Sequence, residues 1–337
     1  MQFLSNEGST MIIDECRRVP KLFPALKLHI QKNQRPGQFL LTESVRFTAR
    51  KAIQESLTGR IISLELLPLT IAEMCEIPLQ DLKTYQFTQL QTLNIHYKKR
   101  IHHAPKDVLE KYLLRGGLPG FWFLREQSFL NLKFKSHIET LLQRDIKLII
   151  ETTLPYENLL ELLRYISLHQ GEPLNFSEAG KSSQISANTL KKIISAYENM
   201  FLIRRVTGMD YIKSPMFFLE DQGMASYLSG STSFQDVLRF AFAQLFAQFH
   251  YKEMGVFSVN YYTTKGGAHV PFVFLVKGET YAFMVAPGGD VSSKILLSAE
   301  SFLKNHPKAH VTILIKGTTL FSRMSTKILL APLLALI

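Results

Sequence analysis

The residues of this sequence best suited to catalysis are two adjacent carboxylates, Asp14 and Glu15, which follow the apolar run Met11–Ile13. A short apolar strand ending in such a pair has the Walker B pattern, in which one carboxylate holds magnesium and the next polarises a water molecule that attacks a phosphoryl group. An acidic pair at a solvated strand end is also common in globular proteins. The pair alone is therefore a weak signal of phosphoryl-transfer chemistry.

Phosphoryl-transfer sites also need a phosphate-binding loop, which is written GxxxxGK[ST] because glycine backbone N–H groups cradle the phosphates and the lysine reaches them. The one GK[ST] sequence here is Gly180-Lys181-Ser182, and the position five residues before Gly180 is Asn175. This stretch lies in a helical region and follows the acidic pair, whereas the loop normally precedes it. We interpret it as a chance match within a helical segment.

Strands and a helix surround the acidic pair. Residues 10–13 and 39–42 have the apolar character of buried parallel strands, and apolar residues at helical spacing occur between Leu22 and Ile30. A further helix is predicted before Gly59, and a third strand at 60–69. This strand-helix-strand order predicts a parallel α/β sheet.

The rest of the chain divides into three stretches. Residues 71–104 have weak signals and are predicted to form a connection with one helix. Residues 105–211 are predicted to be helical, and 173–206 have the layout of a winged helix-turn-helix, with Ser186 as the N-cap of its second helix. Strand-like runs return from 215 onwards, and the apolar C-terminus predicts a final buried strand or helix.

Composition places the chain among ordinary globular proteins, with 46% hydrophobic and 20% charged residues in 337. The net charge of +11 is spread along the sequence, and residues 151–212 carry a charge of −1, so there is no basic arm for nucleic acid. Two cysteines cannot form a disulfide framework, which favours a reducing cytoplasm. No apolar run reaches the ~20 residues that a membrane span needs, and no membrane partner is expected.

Longer motifs in this sequence resemble a family of bacterial and archaeal AAA-type ATPases that carry a C-terminal domain of unknown function. The resemblance rests on "IIDECRRVPKLFPALKLHIQKNQRPGQFLLTESVRF" and "ESLTGRIISLELLPLTIAE" within residues 11–73, where the family has a Walker B strand, "RPGxFLLTGS", "ESLAGR" and "LELLPLS". It continues through "YLLRGGLPGFW", "RDI" and "SPMFFLEDQGMASYL", which are similar to the family's "RGGxP", "RDI" and "PKxYFxDxGL" segments.

The resemblance implies an α/β protein in four parts. Residues 1–72 would be the Walker B part of a P-loop domain, 73–104 a variable connection, 105–211 a helical middle with the winged helix-turn-helix, and 212–337 an α/β domain of restriction-endonuclease type. The upstream, phosphate-loop part of the first domain is not in this sequence. We therefore expect an N-terminally truncated, degenerate member of the family.

The resemblance also implies roles for five residues in a nucleotide site. Asp14 would hold magnesium if a nucleotide binds, Glu15 would activate water, Thr42 and Ser44 would sense the γ-phosphate, and Arg60 would stabilise phosphate charge. Glu43 replaces a family glycine and brings a carboxylate near the place of a polyanion. ATP and magnesium are implied by the family only, and we expect this chain alone to bind no cofactor.

The C-terminal region lacks the carboxylates that a nuclease needs for divalent metal. His269 and Pro271 stand where relatives have two acids, and Met284 and Ala286 stand where they have glutamate and lysine. Metal-dependent cleavage is therefore not expected. Apolar replacements at strand positions still preserve a core.

Two further interpretations remain open. The helix-turn-helix could bind DNA through Lys191, Lys192, Arg204 and Arg205, or it could serve domain packing or a protein partner. Alternatively, a neighbouring reading frame could encode the missing loop, so that two chains complete one ATPase domain. A half-domain would also leave a sheet edge uncovered, which predicts self-association.

Overall fold

A computed structural model describes residues 9–16, 19, 21–46, 59–79, 81–209, 212, 214–230, 234–317 and 320–337. The helix predicted before Gly59 lies outside these residues. Across the described ranges, no helix is both long and apolar enough to cross a membrane.

The first structural unit is a small parallel sheet covered by one helix. Strands β1 (Met11–Ile13) and β2 (Phe39–Leu41) pair in parallel, and helix α1 (Leu22–Lys32) connects them. The connection is of the strand-helix-strand type that parallel pairing requires. Cys16, Phe23 and Leu26 are the fully buried residues of its core. The two strands and the helix predicted here are confirmed, but the strands are not buried as expected, because the central residue of each is exposed and its neighbours are half-buried.

The third strand predicted at 60–69 is not formed. Residues 61–70 belong to neither helix nor strand, and they pair with no strand in the described part of the chain. The segment is tied down instead by single contacts: the Leu67 N–H donates to the Tyr251 hydroxyl (3.1 Å) and the Leu69 N–H donates to the Gly117 carbonyl (2.8 Å). Apolar residues alone therefore do not make a strand where no neighbouring strand supplies hydrogen bonds.

The connection after this segment contains more helix than predicted. It holds α2 (Ile71–Met74), a 3-10 turn at Leu82–Gln86 and α3 (Leu90–Ile101). Thr70 caps α2 with a reciprocal capping box, because its hydroxyl accepts the Glu73 N–H and the Glu73 carboxylate accepts the Thr70 N–H. Short helices of this kind depend on such caps and on tertiary packing.

The helical middle matches its sequence prediction. Its helices are α4 (Val108–Arg115), α5 (Pro119–Trp122), α6 (Gln127–Gln143), α7 (Tyr156–Leu168), α8 (Phe176–Ser183) and α9 (Ala187–Asn199), with a 3-10 turn at Asp145–Leu148. Gln184 adopts a left-handed conformation (φ 55°) between α8 and α9, and Ser186 occupies the N-cap position of α9. The helix, turn and helix thus lie where the sequence predicted them.

An eight-stranded mixed sheet follows, in the order β4-β3-β5-β6-β7-β8-β10-β9. Its strands are β3 (Ile203–Gly208), β4 (Met216–Leu219), β5 (Ser258–Thr263), β6 (His269–Val276), β7 (Glu279–Ala286), β8 (His310–Ile315), β9 (Ser322–Arg323) and β10 (Ile328–Pro332). Its helices are α10 (Gln222–Ser229), α11 (Phe234–Lys252) and α12 (Ser293–Asn305). A last 3-10 turn, Leu333–Leu336, is buried.

The sheet lies between two helical layers. Alternate residues of β7, including Phe283, belong to the same core as α11, whereas Ala282 and Met284 belong to the same core as Phe302 of α12. Strand β3 pairs antiparallel with β4 and also parallel with β5, so the strands after α9 are part of the C-terminal sheet. The helical middle and the C-terminal region therefore share one sheet.

Candidate functional site

The carboxyl ends of β1 and β2 bring two predicted site residues together. Because Ile13 pairs with Leu41 in parallel, the next residues, Asp14 and Thr42, leave the sheet at the same edge. The Thr42 hydroxyl donates a short hydrogen bond to the Asp14 carboxylate, and the Thr42 N–H donates to the Ile13 carbonyl (3.0 Å). Ligand sites of parallel α/β sheets lie at this edge.

The backbone turns sharply at Glu15, directly after the exposed Asp14. Glu15 has a positive φ of 49°, and its N–H donates to Oδ1 of Asp14 (3.0 Å). A left-handed conformation is uncommon for a residue other than glycine, and such strained residues often occur at functional sites. The turn places the two carboxylates differently, with Asp14 exposed and Glu15 half-buried.

Glu43 is held against the same end of the sheet. Its carboxylate accepts the Ser44 N–H (3.2 Å), and the Cys16 thiol donates to its other oxygen (3.9 Å). The side chain that replaces a family glycine is therefore fixed beside Thr42 and Ser44. A negative group is placed where the resemblance predicts contacts to a γ-phosphate.

A cavity of about 970 Å³ opens next to this end of β2. Of the predicted site residues, Thr42, Ser44 and Arg60 line it, together with Glu43. The structure thus brings Asp14 to Thr42 and places Thr42, Glu43, Ser44 and Arg60 around one space, which neither Asp14 nor Glu15 lines. Arg60 is exposed at its rim.

The GKS sequence is not a phosphate-binding loop in this fold. Gly180, Lys181 and Ser182 form regular turns of α8, whose N-cap is Asn175. The Ser182 hydroxyl donates to the Glu161 carboxylate (3.0 Å). Helical N–H groups in the middle of α8 are bonded to carbonyls of the same helix and cannot converge on a phosphate.

Two parts of the chain match known protein families. Residues 1–75 match an AAA domain. Residues 106–235 match a domain of unknown function (DUF8612). The AAA region therefore contains β1, α1, β2 and the predicted nucleotide-site residues, and the second match contains the helical middle, β3, β4 and α10.

Curated relatives of the chain are themselves uncharacterized. One is a protein of Mycobacterium tuberculosis (strain H37Rv) and another is a protein of Mycobacterium bovis, and each is 22% identical to this chain over 236 residues. The match covers 68% of this chain and 46% of each relative, so the chain spans about half the length of the curated relatives it matches. No solved structure matches it significantly.

A buried ionic cluster joins the AAA region to the C-terminal sheet, and sequence reasoning missed it. Arg46 and Arg204 share the carboxylate of Glu65, and Arg204 also pairs with Glu220 (2.7 Å). The side chains of Arg204 and Glu220 are each only 10% exposed. The sequence did not reveal the buried position of Arg204, because an arginine in an amphipathic strand can equally well face the solvent.

Burial and charge pairing shift the pKa values of the two glutamates in this cluster in opposite directions. Burial raises the pKa of Glu65, but attraction by Arg204 and Arg46 outweighs it, and the pKa lies below its ordinary value of 4.5. Burial dominates at Glu220 and raises its pKa, although Arg204 opposes the increase. Charge pairing therefore outweighs burial at Glu65, and burial outweighs charge pairing at Glu220.

Arg46 also binds the end of helix α9. Its backbone N–H donates to the Asn199 carbonyl (2.9 Å), its Nε donates to the Glu198 carbonyl (3.0 Å), and its guanidinium lies 4.5 Å from the centre of the Phe201 ring. A cation at a helix C-terminus satisfies carbonyls that have no partner within the helix. Arg46 therefore docks the AAA region, two residues after Ser44, onto the helical middle.

The four predicted DNA-binding residues have different surroundings. Arg204 is buried in the ionic cluster, so in this structure its side chain is not positioned to reach a phosphate. Arg205 is 42% exposed and pairs with Glu198 (2.7 Å). Lys191 and Lys192 are exposed on α9.

Two motifs of the resemblance contact each other. Asp221 accepts hydrogen bonds from the Gly117 N–H (2.8 Å) and from the Met224 N–H (2.8 Å), so it caps α10 and holds the "RGG" loop. Gly116 has φ 72°, and a side chain there would overlap the Asp221 carboxylate. The fully buried Arg239 supplies the opposing charge, although burial still raises the pKa of Asp221. These motifs have a packing role.

The C-terminal positions where the resemblance implied acidic residues in the family are part of the packed sheet. Pro271, Met284 and Ala286 are buried, and the half-buried His269 has a lowered pKa because of its burial. Within the described ranges, no three His, Cys, Asp or Glu side chains are grouped so that they could hold a metal ion.

Proposed function

We propose that this chain carries the Walker B part of an AAA-type ATPase site and that the 337 residues alone neither bind nor hydrolyse ATP. In this proposal Asp14 is the magnesium ligand, Glu15 orients the attacking water, Thr42 and Ser44 contact the γ-phosphate, and Arg60 stabilises its charge. Magnesium would neutralise the developing phosphate charge when a nucleotide is bound.

The observation that carries the proposal is the hydrogen bond from Thr42 to Asp14 at the carboxyl ends of two parallel strands. It lies within the AAA match, and it joins the two positions to which the family resemblance gives magnesium and γ-phosphate roles. The oxygens of Asp14 and Thr42 suit magnesium, which is bound through few protein ligands together with substrate phosphates. These residues therefore fit the ion together with a bound nucleotide.

Two features support the absence of independent turnover. The sequence contains no GxxxxGK[ST], and its one GK[ST] is helical, so these residues supply no cradle of backbone N–H groups. Glu43 adds a negative charge beside Thr42 and Ser44. At about 4 Å, two unit charges repel by roughly 4 kcal/mol at an effective dielectric constant of about 20.

Phosphate release from ATP by the purified chain, with magnesium, tests the proposal. We expect a rate equal to that of the Glu15→Gln variant, because the wild-type chain has no productive nucleotide complex for Glu15 to act on. Turnover by the wild-type chain that Glu15→Gln abolishes would refute the proposed inactivity. Turnover unaffected by Glu15→Gln would identify a contaminating enzyme.

A second candidate function is DNA binding by helices α7 to α9 with the β3–β4 hairpin, which we propose to be a winged helix-turn-helix. The observation that favours it is the stretch between Glu178 and Glu198, which has no acidic residue and has three exposed lysines, Lys181, Lys191 and Lys192. An exposed second helix of this type enters the major groove. A protein partner on the same face is the competing interpretation.

Gel-shift titration of duplex DNA at low salt, near 50 mM, decides between DNA and a protein partner, because phosphate contacts are strongest at low salt. The DNA interpretation predicts binding that weakens with salt and is lost in Lys191→Glu/Lys192→Glu. The control Lys294→Glu/Lys304→Glu changes the net charge equally on α12 and should bind as wild type does. Absence of binding even at low salt removes the DNA interpretation.

The C-terminal region supports a structural proposal of its own. Its order is α11, the antiparallel strands β5, β6 and β7, the crossover helix α12 and the parallel strand β8. We propose that this is a restriction-endonuclease-like domain without the metal-binding carboxylates. Its role would then be in binding and domain packing and not in catalysis. A magnesium-dependent nuclease assay should give no cleavage.

A further inference from the structure

Two stretches of the sequence that lack acidic residues carry most of the net charge of the chain. Residues 90–106 contain four lysines and arginines and no aspartate or glutamate, and residues 301–337 contain five such cations and no acid. These nine cations account for most of the net charge of +11, so the remainder of the chain is nearly neutral. No single segment showed this concentration, because the two stretches lie far apart in the sequence.

The fold places these two stretches side by side at one edge of the C-terminal sheet. The first contains α3, and the second contains β8, β10 and the edge strand β9. Asn94 of α3 bonds both backbone groups of Phe321, since its Oδ1 accepts the N–H (2.7 Å) and its Nδ2 donates to the carbonyl (3.2 Å). Arg100, further along α3, donates through Nε to the main-chain oxygen of Ile337 (3.1 Å). The cations of both stretches therefore belong to one region of the folded chain.

The lysines of this region are accessible to an anionic partner. Every lysine in the two stretches is exposed, and none forms an ion pair with a carboxylate in the described part of the chain. A phosphate backbone gains affinity from such lysines, because each contact releases condensed counterions. The region is therefore suited to a polyanion.

An exposed aromatic ring lies among these cations. Phe87 follows the 3-10 turn that precedes α3, and it is 69% exposed. Its ring meets the ring of His310, the first residue of β8, in a T-shaped contact with 5.0 Å between the centroids. His310 is influenced electrostatically by Lys327 and Arg323 as well as by Glu279, so cations outnumber the carboxylate around this ring.

Arg323 of β9 fixes the turn that carries Phe87. Its Nη2 donates to the carbonyls of Gln86 (2.7 Å) and Thr88 (3.2 Å), the residues on either side of Phe87. The buried Gln86 side chain donates in turn to the Thr312 hydroxyl (2.7 Å). The exposed ring is thus held in a defined position, which lowers the entropy lost when a planar group stacks on it.

We propose that this region, which comprises residues 87–106, 306–310 and 322–327 and which we call the basic edge, binds single-stranded nucleic acid. One base stacks on Phe87, Lys308 and Lys327 contact phosphates beside it, and Lys98 and Lys99 extend the contact along α3. Proteins that bind single strands without sequence preference combine basic side chains with aromatic platforms in this way. The inference does not depend on the nucleotide site, and its residues differ from those of the helix-turn-helix.

Phe87 is the feature that favours a single strand over other polyanions. In a duplex the bases are stacked on one another, whereas a base of a single strand has a face on which an aromatic ring can stack. An acidic protein or an anionic membrane would be attracted by the same lysines, but neither has bases for the ring. The position of the ring among the lysines therefore indicates the ligand.

Fluorescence anisotropy tests the proposal with a labelled single strand of about 20 nucleotides and the 337-residue chain at about 50 mM salt. Oligo-dT and oligo-U separate DNA from RNA as the ligand, and binding of either supports the proposal. Lys308→Glu/Lys327→Glu should weaken binding by at least about tenfold. The control Lys135→Glu/Lys147→Glu changes the net charge equally at exposed positions of the helical middle and should bind as wild type does.

The stacking contact has a test of its own. Phe87→Ala should weaken binding by about tenfold. Phe129→Ala removes a ring that is 57% exposed on α6 and should leave binding unchanged. Phe87→Trp should retain binding, and its added fluorescence should be quenched as the strand binds, because a base stacks on the indole. The wild-type chain, whose one tryptophan is Trp122, supplies the background signal.

Several outcomes would overturn the inference. Absence of binding at about 50 mM salt is the first. Binding that Lys191→Glu/Lys192→Glu abolishes and Lys308→Glu/Lys327→Glu leaves unchanged would assign the contact to the helix-turn-helix. Equal affinity of wild type and Phe87→Ala, with displacement of the strand by polyglutamate, would show attraction by charge alone. Preference for phosphatidylserine vesicles over the oligonucleotide would identify a membrane surface instead.

Discussion

Arg204 and Arg205 are neighbours in β3, yet their side chains lie in different electrostatic environments. Arg204 is 10% exposed, pairs with Glu65 and Glu220, and lies 4.1 Å from the centre of the Phe246 ring. Arg205 is 42% exposed and pairs with one partner. At the residue scale, the attachment of the AAA region therefore depends on one of these arginines far more than on the other.

Substitution of each arginine by methionine measures this difference. Arg204→Met leaves Arg46 as the remaining arginine beside the carboxylates of Glu65 and Glu220, and it should lower the free energy of unfolding by about 3–5 kcal/mol. Arg205→Met removes an exposed pair and should cost at most about 1 kcal/mol. Urea unfolding of both variants provides the measurement, and equal losses would contradict the buried cluster.

Glu65 should make stability depend on acid pH. Its pKa is held below the ordinary 4.5, so its ionised form stabilises the folded chain fully above that value and progressively less as pH falls through the folded pKa. Glu220 acts in the opposite direction, because its raised pKa favours protonation in the folded state. The Glu65→Gln variant isolates the first effect.

The stability deficit of Glu65→Gln should be largest at neutral pH and should shrink as pH falls below 4.5. Urea unfolding at a series of pH values measures it, and the exposed Glu300→Gln variant provides the baseline. A deficit that grows on acidification would show that Glu65 is not stabilised as a carboxylate.

At the scale of elements, the loop between α4 and α5 and the start of α10 form one contact. Gly117 donates to Asp221, and Gly116 approaches it at φ 72° where no side chain fits. The two glycines of the "RGG" motif are thus explained by the close approach of their backbone to the Asp221 carboxylate. The motif and Asp221 lie far apart in the chain, so their contact could not be predicted from spacing.

Replacement of Gly116 by alanine should be strongly destabilising. The left-handed φ and the overlap with Asp221 together should cost at least about 2 kcal/mol. Gly120→Ala is the matched control in the neighbouring helix, because the nearest atom to its new methyl group is the mobile Lys133 Nζ (3.1 Å). Thermal unfolding compares them, and similar melting temperatures would contradict the contact.

Local sequence signals predicted most elements correctly. Helices α8 and α9 and the strands β5 to β8 follow from apolar periodicity and capping residues, which are local properties. The failure at 60–69 has a non-local cause, because strand formation there depends on a partner edge. The pairing of Glu65 with Arg204 was missed for the same reason: an ion pair between segments far apart in the chain has no sequence signature.

The candidate site also combines features that the sequence predicted with contacts between distant segments that it did not predict. The roles of Asp14, Thr42 and Arg60 came from a family resemblance, and the parallel pairing of β1 and β2 brings the first two together. The position of Arg46 on the end of α9 could not be foreseen, since it depends on how the AAA region docks. These three roles remain predictions until nucleotide chemistry is measured.

At the scale of the whole molecule, the AAA region is small and the remainder is large and continuous. The core formed by β1, α1 and β2 has three buried residues in the described part of the chain, whereas one sheet joins β3 and β4, which follow the helical middle, to the C-terminal strands. The AAA region contacts the end of α9 through Arg46 and β3 through Glu65, and it borders the cavity. A small α/β unit is thus docked by polar contacts onto a larger continuous sheet and its helices.

Calorimetric titration of the 337-residue chain with MgATP tests this account most directly. We predict no saturable heat up to millimolar ATP, because Asp14, Thr42 and Arg60 have no phosphate cradle in this chain, and Asp14→Asn should give the same flat titration. Micromolar, magnesium-dependent binding that Asp14→Asn abolishes would contradict the account, because it would require a complete nucleotide site within these residues.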